Sequence, residues 1–565
     1  MSGKSVPQEF SIRSFGGLNL NHPRTIEDNE FRKLVNLMHS SGGALFPRPG
    51  LEWKDDDAHS QTFSGGGIAE VAWILGVARG TTSANEHYLA SWDDKLYISA
   101  NGGVTWTKLQ YAAADVTDLG GMCINTGQVT YFTSAQGLLS FDGTTLTQEA
   151  TAGVSNQILE LAYFKNRFFG WKPTHNTVDA IRLYYSEIDD PTTGWVANYQ
   201  QIDTTQETDK IQYVCPFNNL LYVFTEKETW AIDITGEPAD WIVTNISKTY
   251  GAESPYSVIE VDGLLYILNV RGFFAFDGFN FQKLSGPLDP LFDRQRVRTP
   301  ATRSHHRASI GSWVVDFLDW IIVKVDDTAI MAHTSVDTFI FLYNKKLKVW
   351  TQITFALSGT GPLSSLASSL TLGKPVSSIS RSSVTDNAGL FMPYNGRTSE
   401  KTRALHWRLG LALGPHPANI GISESVDTDF VDWEDYWDDL TQDIRYSFQT
   451  KDFDFGSATY LKRMTHLSLD VYGDAAPNLT YFQHRNGESA LGTLTQEVNS
   501  GVDPNDGHFT SSLVGLKPVG LFRTWALNVL FEMDDSTYKE GPFVLNAIEG
   551  RFTHKKKLLS ANVSQ

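Results

Sequence analysis

The sequence predicts an all-β protein whose main body is a repeat of four-stranded units, and three observations carry that prediction. Residues 219–285 contain one plan twice: a turn, a Leu-Leu-Tyr strand, a polar turn, and a second strand with an aromatic-centred end. Leu220, Tyr222 and Phe224 alternate with Leu221, Val223 and Thr225, and Leu264, Tyr266 and Leu268 repeat the pattern, which is the period of a strand. Tyr222 and Tyr266 lie 44 residues apart, the length of one blade of a β-propeller at about 40–45 residues. Finally, 12% aromatics and 46 glycines suit many short strands and turns better than helices.

Taken in order, residues 1–60 read as an opening docking segment. Thr25 or Asp28 caps a short predicted helix there, with Phe31, Leu34, Val35 and Met38 as its apolar stripe. Gly42-Gly43 stop it, Ala44-Leu45-Phe46 follows as a strand, and Arg48 reads as a surface arginine in a Pro-rich turn. Residues 61–445 carry the propeller. Its units turn at Asp93-Asp94, Asn101-Gly102-Gly103, Asp142-Gly143, Lys165-Asn166, Asp277-Gly278 and Tyr343-Asn344, with a weaker unit at residues 389–397. Asp-Gly supplies the φ > 0 positions of a tight hairpin. Six or seven blades result, with loop insertions near residues 285–310, 355–385 and 423–443. From residue 446 to 565 the repeat ceases. Leu467, Leu469 and Val471, then Trp525, Leu527 and Val529, then Val544, Asn546 and Ile548 alternate as antiparallel strands of a β-sandwich-like domain.

The totals exclude several classes of function. A formal net charge of −18 argues against a protein that grips nucleic acid, because phosphate neutralisation needs a basic face. It is compatible with a surface past which DNA slides. Cys123 and Cys215 are the only cysteines, so at most one bridge forms and no CxxC metal pattern exists. There is no apolar run long enough for a membrane helix, and the N-terminus lacks a signal-peptide core.

Two segments stand out by charge. Residues 294–307 concentrate Arg294, Arg296, Arg298, Arg303, His305, His306 and Arg307. They read either as an exposed inter-blade loop or as a contact to nucleic acid or an acidic neighbour. Residues 423–443 are their acidic counterpart, with Asp432, Glu434, Asp435, Asp438 and Asp439. There Trp433, Tyr436 and Trp437 at i, i+3 and i+4 suggest one helical face.

Signs of catalysis are weak. The stretch Ser99 to Trp106 resembles the Asp-box hairpin of sialidase-type propellers, with Asn101 in place of the usual aspartate, but that motif is structural. Glu187, Asp189 and Asp190 cluster, yet Asp-Asp-Pro is an ordinary turn opener. Neither a phosphate loop nor HExxH occurs, and His305-His306 has the wrong spacing for a helical metal face. No enzyme activity, cofactor or metal is expected.

Four phrases resemble one family. They are GGLN followed by GGALFPRPG near the N-terminus, LYYSEIDDPTTGW, FFAFDGFNFQKLSGPLDPLF, and TKDFDFGSATYLKRM. Together they are similar to the β-propeller tail proteins of short-tailed bacteriophages, known as the nozzle, tail tubular protein B, tail hub or packaged-DNA stabilisation protein. The resemblance implies a virion protein assembled in the host cytoplasm, forming a ring of six copies below the portal and adaptor proteins. The implied partners are further copies of itself, those neck proteins, tail fibres or spikes, the host envelope, and double-stranded DNA passing through the lumen without sequence-specific binding. Arg294, Arg296, Arg298, Arg303 and Arg307, with the acids at 432, 434, 435, 438 and 439, are the candidate subunit or DNA contacts. The competing expectation is a glycan-binding or glycan-cleaving propeller.

Overall fold

The structure is a computed structural model. It describes residues 7–22, 25–40, 42–48, 52–53, 73–79, 86–92, 95–99, 107–117, 119–120, 123–126, 129–150, 158–172, 178–195, 197–205, 209–295, 312–317, 319–325, 339–353, 371–372, 376–379, 388–395, 402–408, 434–437, 440–443, 445–456, 460–473, 478–485, 494–497, 511–516, 521–532 and 543–557.

Six short strands open the chain: β1 (Gln8–Arg13), β2 (Gly17–Leu18), β3 (Glu30–Val35), β4 (Leu37–His39), β5 (Leu45–Pro47) and β6 (Glu52–Trp53). The helix predicted from Phe31, Leu34, Val35 and Met38 is therefore absent, and those residues are extended. The register of β3 slips between Phe31 and Lys33, so Phe31 and Leu34 are both buried at the i, i+3 spacing that a helical stripe also shows. Asn36, at φ 60°, breaks the run between β3 and β4.

Seven propeller units follow. Blade 1 is β7 (Trp73–Arg79), β8 (Glu86–Trp92), β9 (Lys95–Ser99) and β10 (Thr107–Lys108). A small hairpin, β11 (Gln110–Tyr111) and β12 (Ala114–Asp115), precedes blade 2: β13 (Ile124–Thr126), β14 (Val129–Ser134), β15 (Gly137–Phe141) and β16 (Leu146–Ala150). Blade 3 is β17 (Glu160–Phe164), β18 (Arg167–Trp171), β19 (Arg182–Tyr185) and β20 (Tyr199–Gln201). Blade 4 is β21 (Ile211–Phe217), β22 (Leu220–Thr225), β23 (Thr229–Asp233) and β24 (Ile242–Ser247). Blade 5 is β25 (Val258–Val261), β26 (Leu264–Asn269), β27 (Gly272–Phe276) and β28 (Phe281–Lys283), and it runs out into helix α1 (Asp289–Gln295). Blade 6 is β29 (Trp313–Phe317), β30 (Trp320–Val325), β31 (Phe339–Asn344) and β32 (Val349–Ile353). Blade 7 is β33 (Thr371–Leu372), β34 (Val376–Ile379), β35 (Ala388–Asn395) and β36 (Thr402–Arg408).

The ring closes. β7 lies beside β14 of blade 2 on one side and beside β34 and β35 of blade 7 on the other. The outermost strand of blade 7 is not local: β6 pairs antiparallel with β36, Trp53 opposite Leu405 and Glu52 opposite His406. Tyr222 and Tyr266 hold equivalent places on β22 and β26, opposite Ala231 and Ala275, as their spacing predicts. Apolar residues between blades, such as Phe169, Trp171, Leu221, Val223 and Ile232, form continuous buried clusters, and burial of that kind is what holds a repeat array together.

A hairpin, β37 (Glu434–Trp437) with β38 (Leu440–Asp443), leads to the last strands. Here too a strand stands where a helical face is predicted: Tyr436 and Trp437 lie on β37, and Trp433 lies outside the described residues. The last strands are β39 (Arg445–Thr450), β40 (Tyr460–Gly473), β41 (Asn478–Arg485), β42 (Leu494–Glu497), β43 (Ser511–Gly515), β44 (Leu521–Phe522), β45 (Trp525–Glu532) and β46 (Phe543–Lys557). They form two sheets, β46-β40-β43 with β44, and β39-β45-β41-β42. Leu467, Leu469 and Val471 and Trp525, Leu527 and Val529 are buried as predicted. On β46 Ile548 is buried as predicted, together with Leu545, Ala547 and Phe552, whereas Val544 and Asn546 are half-buried. The register skips Asn546, Asp470 facing Ala547 and Val471 facing Leu545, and a bulge of that kind shifts the alternation by one residue.

Candidate functional site at the propeller–sandwich junction

The opening segment is woven through both domains. β1 pairs along β46, with Ile12 opposite Ile548. β3 pairs antiparallel with β39 of the sandwich and parallel with β32 of blade 6, Val35 meeting Gln352. It thereby joins that blade and the second sandwich sheet into one ten-stranded sheet. The hairpin β4–β5 adds to the first sandwich sheet, Leu45 facing Leu545. A single core runs through Phe15, Phe31 and Leu37 of the opening strands, Phe273 and Phe292 of the blade 5 region, Trp350 of blade 6, and Phe448 and Trp525 of the sandwich.

Three of the four resemblance phrases meet at this junction. Gly17 sits at φ +88°, and a Cβ there would lie 2.8 Å from Val349 Cβ and 3.0 Å from the carbonyl oxygen of Trp350, so only glycine fits. Beyond it, the Asn19 amide donates to Phe31 O at 2.8 Å, the Leu20 amide to Pro287 O at 2.7 Å, and Asn21 Nδ2 to Gly286 O at 3.1 Å. The GGLN loop is thus pinned to the SGPL turn leaving blade 5. Trp350 Nε1 caps the same exit by donating to Leu284 O at 3.0 Å. From the sandwich, Lys451 Nζ donates to Ile26 O at 3.1 Å and pairs with Asp28, while Phe453 exchanges backbone bonds with Trp525.

Arg48 departs most from its sequence reading. It is fully buried, not a surface residue. Its Nε donates to Asn36 Oδ1 at 3.0 Å, its amide donates to Asn36 O at 2.8 Å, and its carbonyl accepts from Tyr446 Oη at 3.3 Å. The guanidinium anchors the left-handed Asn36 corner against the sandwich. Nothing local in the sequence signalled this, because its partners come from the preceding hairpin and from a strand about 400 residues on.

His39 ends β4 and is almost wholly enclosed. Nδ1 lies 3.4 Å from Thr351 Oγ1 of β32, and Nε2 meets no hydrogen-bond partner among the described residues. Burial lowers its pKa to about 3, because a charged imidazolium there would be stripped of water.

Only parts of the two charged segments fall within the described residues. Arg294 falls in α1, whose Leu291 and Phe292 pack into the junction core; Arg296, Arg298, Arg303 and Arg307 lie outside the described residues. Glu434 and Asp435 are on β37, which lies beside β6 at the outer edge of blade 7. Asp432, Asp438 and Asp439 lie outside the described residues. The described ends of the two segments therefore belong to different blade regions.

The Glu187–Asp190 cluster is a structural turn. Asp190 Oδ1 accepts from the Thr192 amide at 2.8 Å and Asp190 Oδ2 from Thr193 Oγ1 at 2.8 Å. The Thr192 hydroxyl, which also donates to Oδ1, and after it those two bonds hold its carboxyl below the usual range. Glu187 accepts from Asn198 Nδ2 and pairs with Arg167. Asp142 and Asp277 accept backbone amides in the same way at the turns of blades 2 and 5. The repeated aspartate is turn chemistry. Cys215 is buried and its thiol is pushed up by burial, which makes it unreactive. Among the described residues no group of three or more metal-ligating side chains converges, and no helix is long and apolar enough to cross a membrane.

The fold defines an all-β protein, a seven-bladed β-propeller joined to a β-sandwich-like domain. No protein-family model matches the chain, and no curated protein does. Among solved structures it is similar to the extracellular domain of a hybrid two component system from B. thetaiotaomicron, at 8% identity and TM-score 0.41, over 92% of this chain and 61% of that one. It is also similar to YCF48 bound to D1 peptide, at 11% identity and TM-score 0.35, over 65% and 100%, and to the AfRom2 CNH domain, at 7% and 0.32, over 62% and 98%. Likenesses this distant lend no activity, ligand or partner to the chain.

Proposed function

We propose that this chain is a structural protein of a bacteriophage tail, a ring-forming nozzle that retains packaged DNA and conducts it during ejection. The observation that carries the reading is the junction: three of the four phrases that resemble the nozzle family, drawn from both ends and the middle of the chain, form one joint between propeller and sandwich. A joint built from such distant segments suits a part that must hold its shape under load. The net charge of −18 supports it as well, since an acidic wall repels the phosphate backbone and lets DNA slide. In this reading the partners are further copies of the chain, the portal and adaptor proteins, and tail fibres or spikes. The basic segment of one copy meets the acidic segment of the next, a heterologous contact that closes a ring.

Negative-stain imaging of the purified chain, alone and with the adaptor ring, tests this. Closed rings are expected, and a strictly monomeric protein under both conditions contradicts it. Combined reversal of Arg294, Arg296 and Arg298 to Glu is expected to abolish the rings while leaving the monomer folded. Specific binding or cleavage on a glycan array would favour the glycan-directed reading instead.

A further inference from the structure

The opening segment does two jobs that the fold keeps apart in sequence. Through β3, β4 and β5 it fastens blade 6 to the sandwich, and through β6 it supplies the outer strand that completes blade 7. Only four residues join β5 to β6, a reach of at most about 19 Å at 3.8 Å per Cα step. The hairpin cannot move far from blade 6 without drawing β6 off β36.

Near the tip of that hairpin sits His39, a buried titratable group whose Nε2 has no hydrogen-bond partner among the described residues. The described elements packed most closely on β4 are β5, β32 and β39. β5 sets Leu45 opposite His39 and carries no titratable side chain. β32 brings Thr351 and is likewise free of titratable groups. β39 carries Arg445 and Tyr446, both lacking a negative charge at neutral or acid pH, and Tyr446 already bonds the Arg48 carbonyl. The nearest charge along the strap, Arg48, is positive. No carboxylate on these elements is placed to receive an imidazolium. A proton on His39 can be hydrated only if the hairpin leaves β32.

We propose that the N-terminal strap is an acid-released latch, in which protonation of His39 detaches the β4–β5 hairpin from blade 6 and withdraws β6 from blade 7, loosening the closure of the propeller. The sign follows from linkage. The imidazole is neutral in the closed state, with its pKa lowered by burial to about 3 from the ordinary imidazole value of about 6.5, so the open state binds more protons and acid favours it. Between pH 7.5 and pH 5 the opening equilibrium rises about thirtyfold on those values, in a range where most carboxylates stay ionised.

Hydrogen exchange of the intact chain at the two pH values, corrected for intrinsic rates, tests the latch. The expected result is a rise of about thirtyfold in opening at β6, β36 and β7, with β21 to β24 of blade 4, which the strap does not touch, unchanged. His39→Gln, neutral at both pH values, is expected to remove the rise. An unchanged rise in the variant overturns the proposal. Should that variant fail to fold, the wild-type pattern decides alone: no rise at β6 and β36, or an equal rise in blade 4, overturns it.

Discussion

Substitution of Arg48 by Met separates the observed junction from the surface turn that the sequence suggests. Methionine keeps most of the apolar length and removes the guanidinium. The bond from Nε to Asn36 Oδ1 at 3.0 Å is lost, and with it a charged donor to Asn36, which is only 2% exposed. A hydrogen bond to a charged group contributes about 1.5–3 kcal/mol, and an unpaired buried acceptor costs about 1–3 kcal/mol. Relief from burying a guanidinium offsets part of this. The net destabilisation is about 2 kcal/mol, which is roughly thirtyfold in a local opening equilibrium. Exchange of the amides in β3, β4 and β5 reads that opening directly, which matters because a chain of this size need not unfold in one step. An exposed arginine would change stability by no more than about 0.5 kcal/mol. A change of less than about twofold in those amides would therefore refute the anchoring role.

Two further outcomes are expected in blade 4 and at its border. A Cβ on Gly251 would lie 2.3 Å from Thr225 O and 2.5 Å from Lys227 N, both backbone, so Gly251→Ala should destabilise blade 4 by about 2 kcal/mol through forced backbone shifts; an unchanged melting temperature contradicts this. Asp209 is buried against Thr225, and burial raises its carboxyl pKa. Because the folded pKa lies above the unfolded one, ionisation opposes folding at neutral pH, and that cost disappears as pH falls through the unfolded value. Asp209→Asn should thus be neutral or stabilising at pH 7.5, with its advantage shrinking in acid; urea midpoints against pH give the answer, and an advantage that grows in acid refutes it.

The repeat was legible because each blade is local. Strand alternation, Asp-Gly turns and the Tyr222–Tyr266 spacing are all set within about 45 residues, and Asp142 and Asp277 cap their own turns. What escaped the sequence is non-local. Phe31, Leu34 and Val35 mimic a helix stripe because the register of β3 slips after Phe31, and nothing near residue 52 reveals that its partner is β36. Arg48 looked solvated because its chemistry is decided by Asn36 and Tyr446 together. The basic and acidic segments were found by composition alone, and among the described residues their ends lie in different blade regions.

The proposed nozzle role is a place in a particle, and imaging that place tests it. Tailed particles carrying this protein with a small electron-dense label should be imaged intact and after genome ejection. The account predicts label in a ring on the tail axis, below the portal and adaptor, in both states. Label confined to peripheral fibres or spikes, or absent from the particles, would contradict it.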